Sequence, residues 1–331
     1  MTAMNERISL GGVITALITP FRDDRVDLDA LADLVDWQIG QGVQGLVACG
    51  TTGESPTLSH SEWREAIRLC VDVAGGRVPV IAGSGANDTS HTTWLTNEAA
   101  RLGADAALVV TPYYNRPSQE GLFRHFDAVE RSVDLPIILY NVPSRTAVDL
   151  GLDTLERLAE RPGIIGIKDA TGDLTRVGAT SDRFGDRYIQ LSGHDRSMPG
   201  FVAAGGDGAI AVISNVAPML SVAMLDAIYR GDLAEARRIN SHLLPLQRAL
   251  DLEVNPAPIK FALHCLRGYS PDLRLPMVGV ESATATAIRE TIALADTLAV
   301  DRPTVRRSPA SRLSGASVRP HSRAFMAAAR N

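Results

Sequence analysis

The strongest constraint on this chain is a repeated alternation: eight short apolar runs interleaved with amphipathic stretches. The runs are residues 13–18, 45–49, 79–82, 106–111, 136–141, 164–169, 188–192 and 209–213. They are nearly continuous in apolar residues rather than alternating, which is the pattern of parallel strands covered on both faces. Between them lie helical patterns such as 28–40, 59–74, 89–102 and 119–132, with Gly42 and Gly103 standing where a helix would close. Eight strand–helix units within roughly 220 residues fit a closed (β/α)8 TIM barrel. The alternative is an open, doubly wound sheet, but no GxGxxG or GxxxxGK[ST] follows the first strand.

Beyond the eighth unit, residues 217–229, 233–250, 258–267 and 282–299 carry further helical patterns, a C-terminal helical appendage to the barrel. The chain therefore divides into a catalytic barrel over 9–230, a helical region over 231–300 and a tail over 301–331. The tail holds seven arginines against one acid and lacks clear periodicity, a composition expected to be disordered.

A formal net charge of −5 gives no reason to expect nucleic acid or a membrane surface as a partner. Cys49, Cys70 and Cys265 are too few and scattered for a disulfide framework, and no Cys/His cluster suggests a metal. The N-terminus lacks the charged-then-apolar pattern of a signal peptide, so a cytoplasmic location is expected. Lysine is unusually scarce: of 33 basic residues only Lys168 and Lys260 are lysines.

In a barrel the active site lies at the C-terminal ends of the strands. Those ends carry Thr51 and Thr52, Tyr113 and Tyr114, Tyr140 and Arg145, Lys168, and Gly193. An exposed lysine is neutral in only about one molecule in 2,500 at pH 7, and neutralising it costs about 4.6 kcal/mol. Burial lowers a lysine pKa by up to about 3–5, which covers that gap. Lys168, ending the apolar run IIGIKD, is thus placed to act as a nucleophile toward a carbonyl carbon. The structural alternative is an ion pair with Asp169. Lys260 lies on an appended helix, where packing or an ion pair accounts for it. Tyr140 ends the preceding strand and can share a cavity with Lys168. The segment GTTGES, residues 50–55, offers backbone N–H groups to a carboxylate and hydroxyls for proton relay. Arg145 is a planar cationic fork suited to a second carboxylate.

Together GTTGES (50–55), TPYYNRPSQEG (111–121), YNVPSRT (140–146), GIKDATG (166–172) and NPAPIK (255–260) resemble the dihydrodipicolinate synthase family. That family belongs to the pyruvate-dependent class I aldolase superfamily, with N-acetylneuraminate lyase. The resemblance spans roughly residues 9–299. It implies condensation of pyruvate, bound as a Schiff base on Lys168, with L-aspartate 4-semialdehyde. It further implies a proton relay of Tyr140, Thr51 and Tyr114, the last from a neighbouring subunit of a tight dimer. The backbone around Thr51 and Thr52 would hold the pyruvate carboxylate and Arg145 that of the aldehyde, with Gly193 and Ile210 lining the pocket. A homotetramer built from tight dimers, with no cofactor, is the implied assembly.

Lysine-inhibited members of the family carry an effector site at the dimer interface. Ser55, His60, Asn87 and Tyr113 match it, but Trp63 stands in place of a histidine and His91 in place of a glutamate. Lysine feedback is therefore expected to be weak or absent. Another lyase of the same superfamily and a catalytically silent pyruvate sensor are the competing readings. Arg145 argues against the sialic acid enzymes, whose corresponding position is apolar, and the intact catalytic set argues against the sensor.

Overall fold

The computed structural model describes residues 10–295, 297 and 298, so the expectation for 301–331 lies outside the described residues. Eight parallel strands close into a barrel: β1 (Gly12–Ala16), β2 (Gly45–Ala48), β3 (Val80–Gly83), β4 (Ala106–Val110), β5 (Ile137–Asn141), β6 (Ile164–Asp169), β7 (Ile189–Ser192) and β8 (Gly208–Ala211). Closure is made by β1, whose Gly12 pairs with Gly208 of β8 and whose Ile14 pairs with Gly45 of β2. The closed barrel replaces the open-sheet alternative.

Successive side chains on a strand point to opposite faces. Ile14, Val47, Ile81, Leu108, Ile138 and Ile210 fill the barrel interior. Their neighbours Val13, Leu46, Ala82, Val109 and Leu139 pack outward against the helices. Both faces are dry, which is why the strands read as continuous apolar runs.

Local chemistry sets the boundaries. Pro79 has no N–H for the ladder, so β3 begins at Val80, although the Pro79 carbonyl still accepts from Leu46 N at 3.0 Å. The eighth strand ends at Ala211 rather than at residue 213, because the N–H groups of Val212 and Ile213 turn to the carboxylate of Asp195. Helix Leu28–Gly40 starts on the Asp27 side chain, which accepts from Ala30 N. Ser59 precedes helix His60–Ala74 as its N-cap, in a reciprocal capping box with Glu62. A small hairpin, Phe21–Arg22 with Arg25–Val26, falls outside the eightfold pattern.

After the barrel come helices Pro218–Tyr229, Leu233–Leu250, Ala257–Arg267 and Ser282–Thr291. The last is shorter than the expected 282–299: it tightens into a 3₁₀ turn at Ile292–Ala295. Ile239, Leu243 and Leu246 join the same apolar core as the outward faces of the barrel strands.

One contact carries this helical region to the barrel mouth. Lys260 is wholly buried, and its Nζ lies 2.5 Å from Glu54 Oε1, in the loop after β2. The same ammonium donates to the Asp272 carbonyl at 2.7 Å and stands 4.0 Å from the centre of the Phe21 ring. The ion pair expected for Lys260 is thus present. Glu54 has a left-handed backbone at φ 53°, a conformation that costs a non-glycine residue about 1–2 kcal/mol. The buried pair holds it there. Lys260→Met should leave the Glu54 carboxylate buried without its cation and destabilise the protein by about 3–5 kcal/mol. Urea unfolding measures this; a loss under 1 kcal/mol would mean that the loop does not depend on the pair.

Candidate active site

Lys168 and Tyr140 are register partners on β6 and β5, so their side chains leave adjacent strands at the same height. Both are buried, and Lys168 Nζ lies 4.1 Å from the centre of the Tyr140 ring. On the other side, Lys168 pairs with Leu191 of β7, and the chain then reaches Gly193. A Cβ at Gly193 would come within 2.9 Å of Lys168 Cε and 2.8 Å of Ala170 Cβ, so only glycine lets the lysine stem pass.

Asp169 does not pair with Lys168, and that structural alternative is corrected. Its carboxylate is taken by Arg176 Nε at 2.8 Å, Thr171 N at 2.9 Å and Thr171 Oγ at 2.5 Å. Strand alternation is the reason: if Lys168 faces inward, Asp169 must face out.

The loop after β2 is a tight turn. Its N–H groups at Gly53 and Ser55 donate to Gly50 O, and that of Glu54 donates to Thr51 O. Those of Thr51 and Thr52 are not among these internal bonds. Beneath the turn, a Cβ at Gly83 would fall 2.2 Å from the Cys49 carbonyl oxygen, so β3 must end in glycine to let the loop sit down. Thr52 is buried, and its hydroxyl accepts from Asn255 Nδ2 at 3.0 Å.

Arg145 lies on a single helical turn, Pro143–Thr146, fixed from below where the hydroxyl of Thr111 donates to that of Thr146 at 3.2 Å. Its Nη2 donates to the Asn255 carbonyl at 3.2 Å. Asn255 therefore bridges the two carboxylate-binding candidates, Thr52 and Arg145. Reading along the chain missed this link, since more than a hundred residues separate the partners; its place in NPAPIK was the only signal.

A cleft of about 580 Å³ opens at the barrel mouth. Thr51 and Arg145 line it together with all six candidate effector residues, Ser55, His60, Trp63, Asn87, His91 and Tyr113. The rings of His60, His91 and Trp94 pack on one another, with centroids 4.4 Å apart for His60–Trp94 and 5.4 Å for His60–His91. Trp63 is buried, and its indole N–H already donates to the Gly83 carbonyl at 3.0 Å. Ile210 lies in the barrel interior rather than on the cleft wall. Tyr114 behaves differently from the other candidates: it is 89% exposed, with φ at 71°, on the surface of the single chain. Among the described residues no cluster of three or more His, Cys, Asp or Glu is suited to a metal, and no helix is long and apolar enough to cross a membrane.

Asp195 was not among the candidates. Burial pushes its carboxyl up from the ordinary range, while backbone N–H groups and the charge of Lys168 pull it down. Nothing in its local sequence sets it apart; only the fold brings it toward the lysine.

Comparison with known proteins agrees with this geometry. The Dihydrodipicolinate synthetase family model matches residues 9–295. A 4-hydroxy-tetrahydrodipicolinate synthase of Rhodospirillum centenum is 52% identical over 278 residues, covering 84% of this chain and 96% of the relative. One from Parvibaculum lavamentivorans is 52% identical over 272 residues, covering 82% and 94%. Among solved structures, dihydrodipicolinate synthase from Acinetobacter baumannii, complexed with pyruvate, superposes with a TM-score of 0.84 at 43% identity, covering 87% of this chain and 99% of that one. With that agreement over the whole barrel and its appended helices, the chain belongs to the dihydrodipicolinate synthetase family.

Proposed function

We propose that this chain catalyses the 4-hydroxy-tetrahydrodipicolinate synthase reaction, a lyase-class condensation of pyruvate with L-aspartate 4-semialdehyde. The observation that carries the reading is Lys168: a buried amine at the end of a barrel strand, against a phenol and a glycine cut to its shape. Its neutral form attacks C2 of pyruvate, water leaves, and the iminium withdraws electrons from C3. Loss of a C3 proton gives an enamine that attacks the aldehyde carbon. The iminium is the electron sink, so the proposed chemistry calls on no cofactor.

Each proton must be carried by a nearby hydroxyl. Tyr140 is the phenol beside Lys168, and Thr51 stands at the cleft wall. Tyr114 completes the proposed relay from a neighbouring subunit, and its exposure in the single chain suits that role. The backbone of Thr51 and Thr52 binds the pyruvate carboxylate; Arg145 binds that of the aldehyde, with Gly193 and Ile210 bounding the lysine pocket. The proposed assembly is a homotetramer built from tight dimers. Its product enters lysine and diaminopimelate synthesis in the cytoplasm.

Borohydride reduction in the presence of pyruvate should fix one pyruvate-derived adduct on the peptide containing Lys168. Mass spectrometry locates it; an adduct on Lys260, or none on active enzyme, sinks the mechanism. Arg145→Ala should lose about 10–150-fold in kcat/KM for the aldehyde, equivalent to about 1.5–3 kcal/mol for a charge-assisted contact, while still forming the pyruvate adduct. Normal turnover by that variant would reassign the aldehyde.

Free lysine should inhibit weakly or not at all. A good site for its two ammonium groups needs acceptors and negative charge. Here His91 replaces a carboxylate, its ring is stacked with those of His60 and Trp94, and the Trp63 N–H is already spent on Gly83. A cation–π contact returns only about 0.5–2 kcal/mol. Lysine titrated into a coupled assay at saturating pyruvate decides the point; half-inhibition below a millimolar concentration would contradict it.

A further inference from the structure

Asp195 follows Gly193 by two residues, in the loop after β7, and opens a short 3₁₀ turn. Its carboxylate reaches across the barrel mouth to the end of β8, accepting from Val212 N at 3.0 Å and Ile213 N at 2.7 Å. Those bonds end the strand that carries Ile210, and they tie it to the loop whose glycine touches the lysine stem. The clamp is braced from outside. Arg196 donates to Asp251 at 2.5 Å, at the end of helix Leu233–Leu250, and Asn215 Nδ2 donates to the Ala16 carbonyl of β1 at 2.8 Å. The charged groups bearing on Asp195 are Lys168 from β6, which attracts it, and Asp251 from the helical region, which repels it. Asp169 turns away to Arg176.

We propose that Asp195 is a positioning residue for the lysine site: it joins the Gly193 loop to the end of β8 and sets a buried negative charge toward the Lys168 nitrogen. This rests on the Schiff-base reading of Lys168. The amine is neutral when it attacks and cationic once it has become the iminium, so a fixed carboxylate favours the charged product of the step. It also favours the resting ammonium, and thereby sets the pH at which attack begins. Geometry and charge are separable, because the backbone bonds need only an acceptor whereas the electrostatic role needs the charge.

The test is the pH dependence of borohydride trapping with pyruvate, measured on the full-length protein. Asp195→Asn removes the charge. Ammonium and iminium then both lose their proton more readily, so the whole bell-shaped profile should move to lower pH, by about 1. Asp195→Glu keeps the charge while disturbing the clamp; its profile should stay at the wild-type pH with a lower maximum rate. Superimposable wild-type and Asn profiles in folded protein overturn the proposal, and so does a Glu profile shifted like that of Asn. Should the Asn variant not fold, wild-type protein supplies the readout, with the Asp195 carboxyl signal identified by its loss in Asp195→Glu. Its ¹³C titration should move to lower pH when pyruvate is bound, and an unmoved titration overturns the proposal. If wild type traps no pyruvate at any pH, the Schiff-base reading falls and this proposal with it; a trapping wild type with an unmoved Asn profile overturns this proposal alone.

Discussion

Closure of the sheet is the constraint on which the rest depends. Because β1 pairs with β8 on one side and β2 on the other, strands distant in the chain become neighbours, and the loops at their C-terminal ends share one mouth. Gln38, wholly buried, helps to lock that seam. Its side chain accepts from Thr15 Oγ at 2.8 Å and donates to the carbonyl of Ser214 at 2.9 Å, joining β1, the first helix and the turn after β8. A buried amide satisfied on both sides resists displacement, since either partner lost would leave a polar group dry.

The mouth is then stiffened by polar contacts that have little to do with burying apolar area. Glu54 ties the loop after β2 to Lys260 of the C-terminal helices, and Asn255 ties Thr52 to Arg145. Such contacts add modestly to net stability, because desolvating them costs nearly what they return. Their value lies in direction. An ion pair or a bridging amide admits few geometries, so the groups proposed to bind two carboxylates are fixed before any ligand arrives. The C-terminal helices therefore bear on the chemistry although none of them carries a group that reacts.

The two lysines illustrate one physical rule with opposite outcomes. Lys260 is buried beside a carboxylate, and the pair is a strut. Lys168 is buried beside a phenol ring and a glycine, with its sequence neighbour Asp169 turned to Arg176. The same side chain serves structure or chemistry according to whether its charge is answered at contact distance.

What was legible from the residues follows period and position. Parallel strands dry on both faces must be apolar throughout, so the eight strands could be read to within a residue or two, and their ends named Lys168, Tyr140, Arg145 and the GTTGES turn. Boundaries failed where a side chain from elsewhere took a backbone donor, as Asp195 does with Val212 and Ile213 at the end of β8. By itself, then, the order of apolar runs determined the barrel and the residues at its mouth, because strand periodicity is local. The partners of those residues were decided by tertiary structure alone: Asn255 between Thr52 and Arg145, Lys260 on Glu54, Asp195 toward Lys168. Hydrogen bonds and charges act over a few ångströms of space, and only the closed barrel makes residues far apart in sequence near in space.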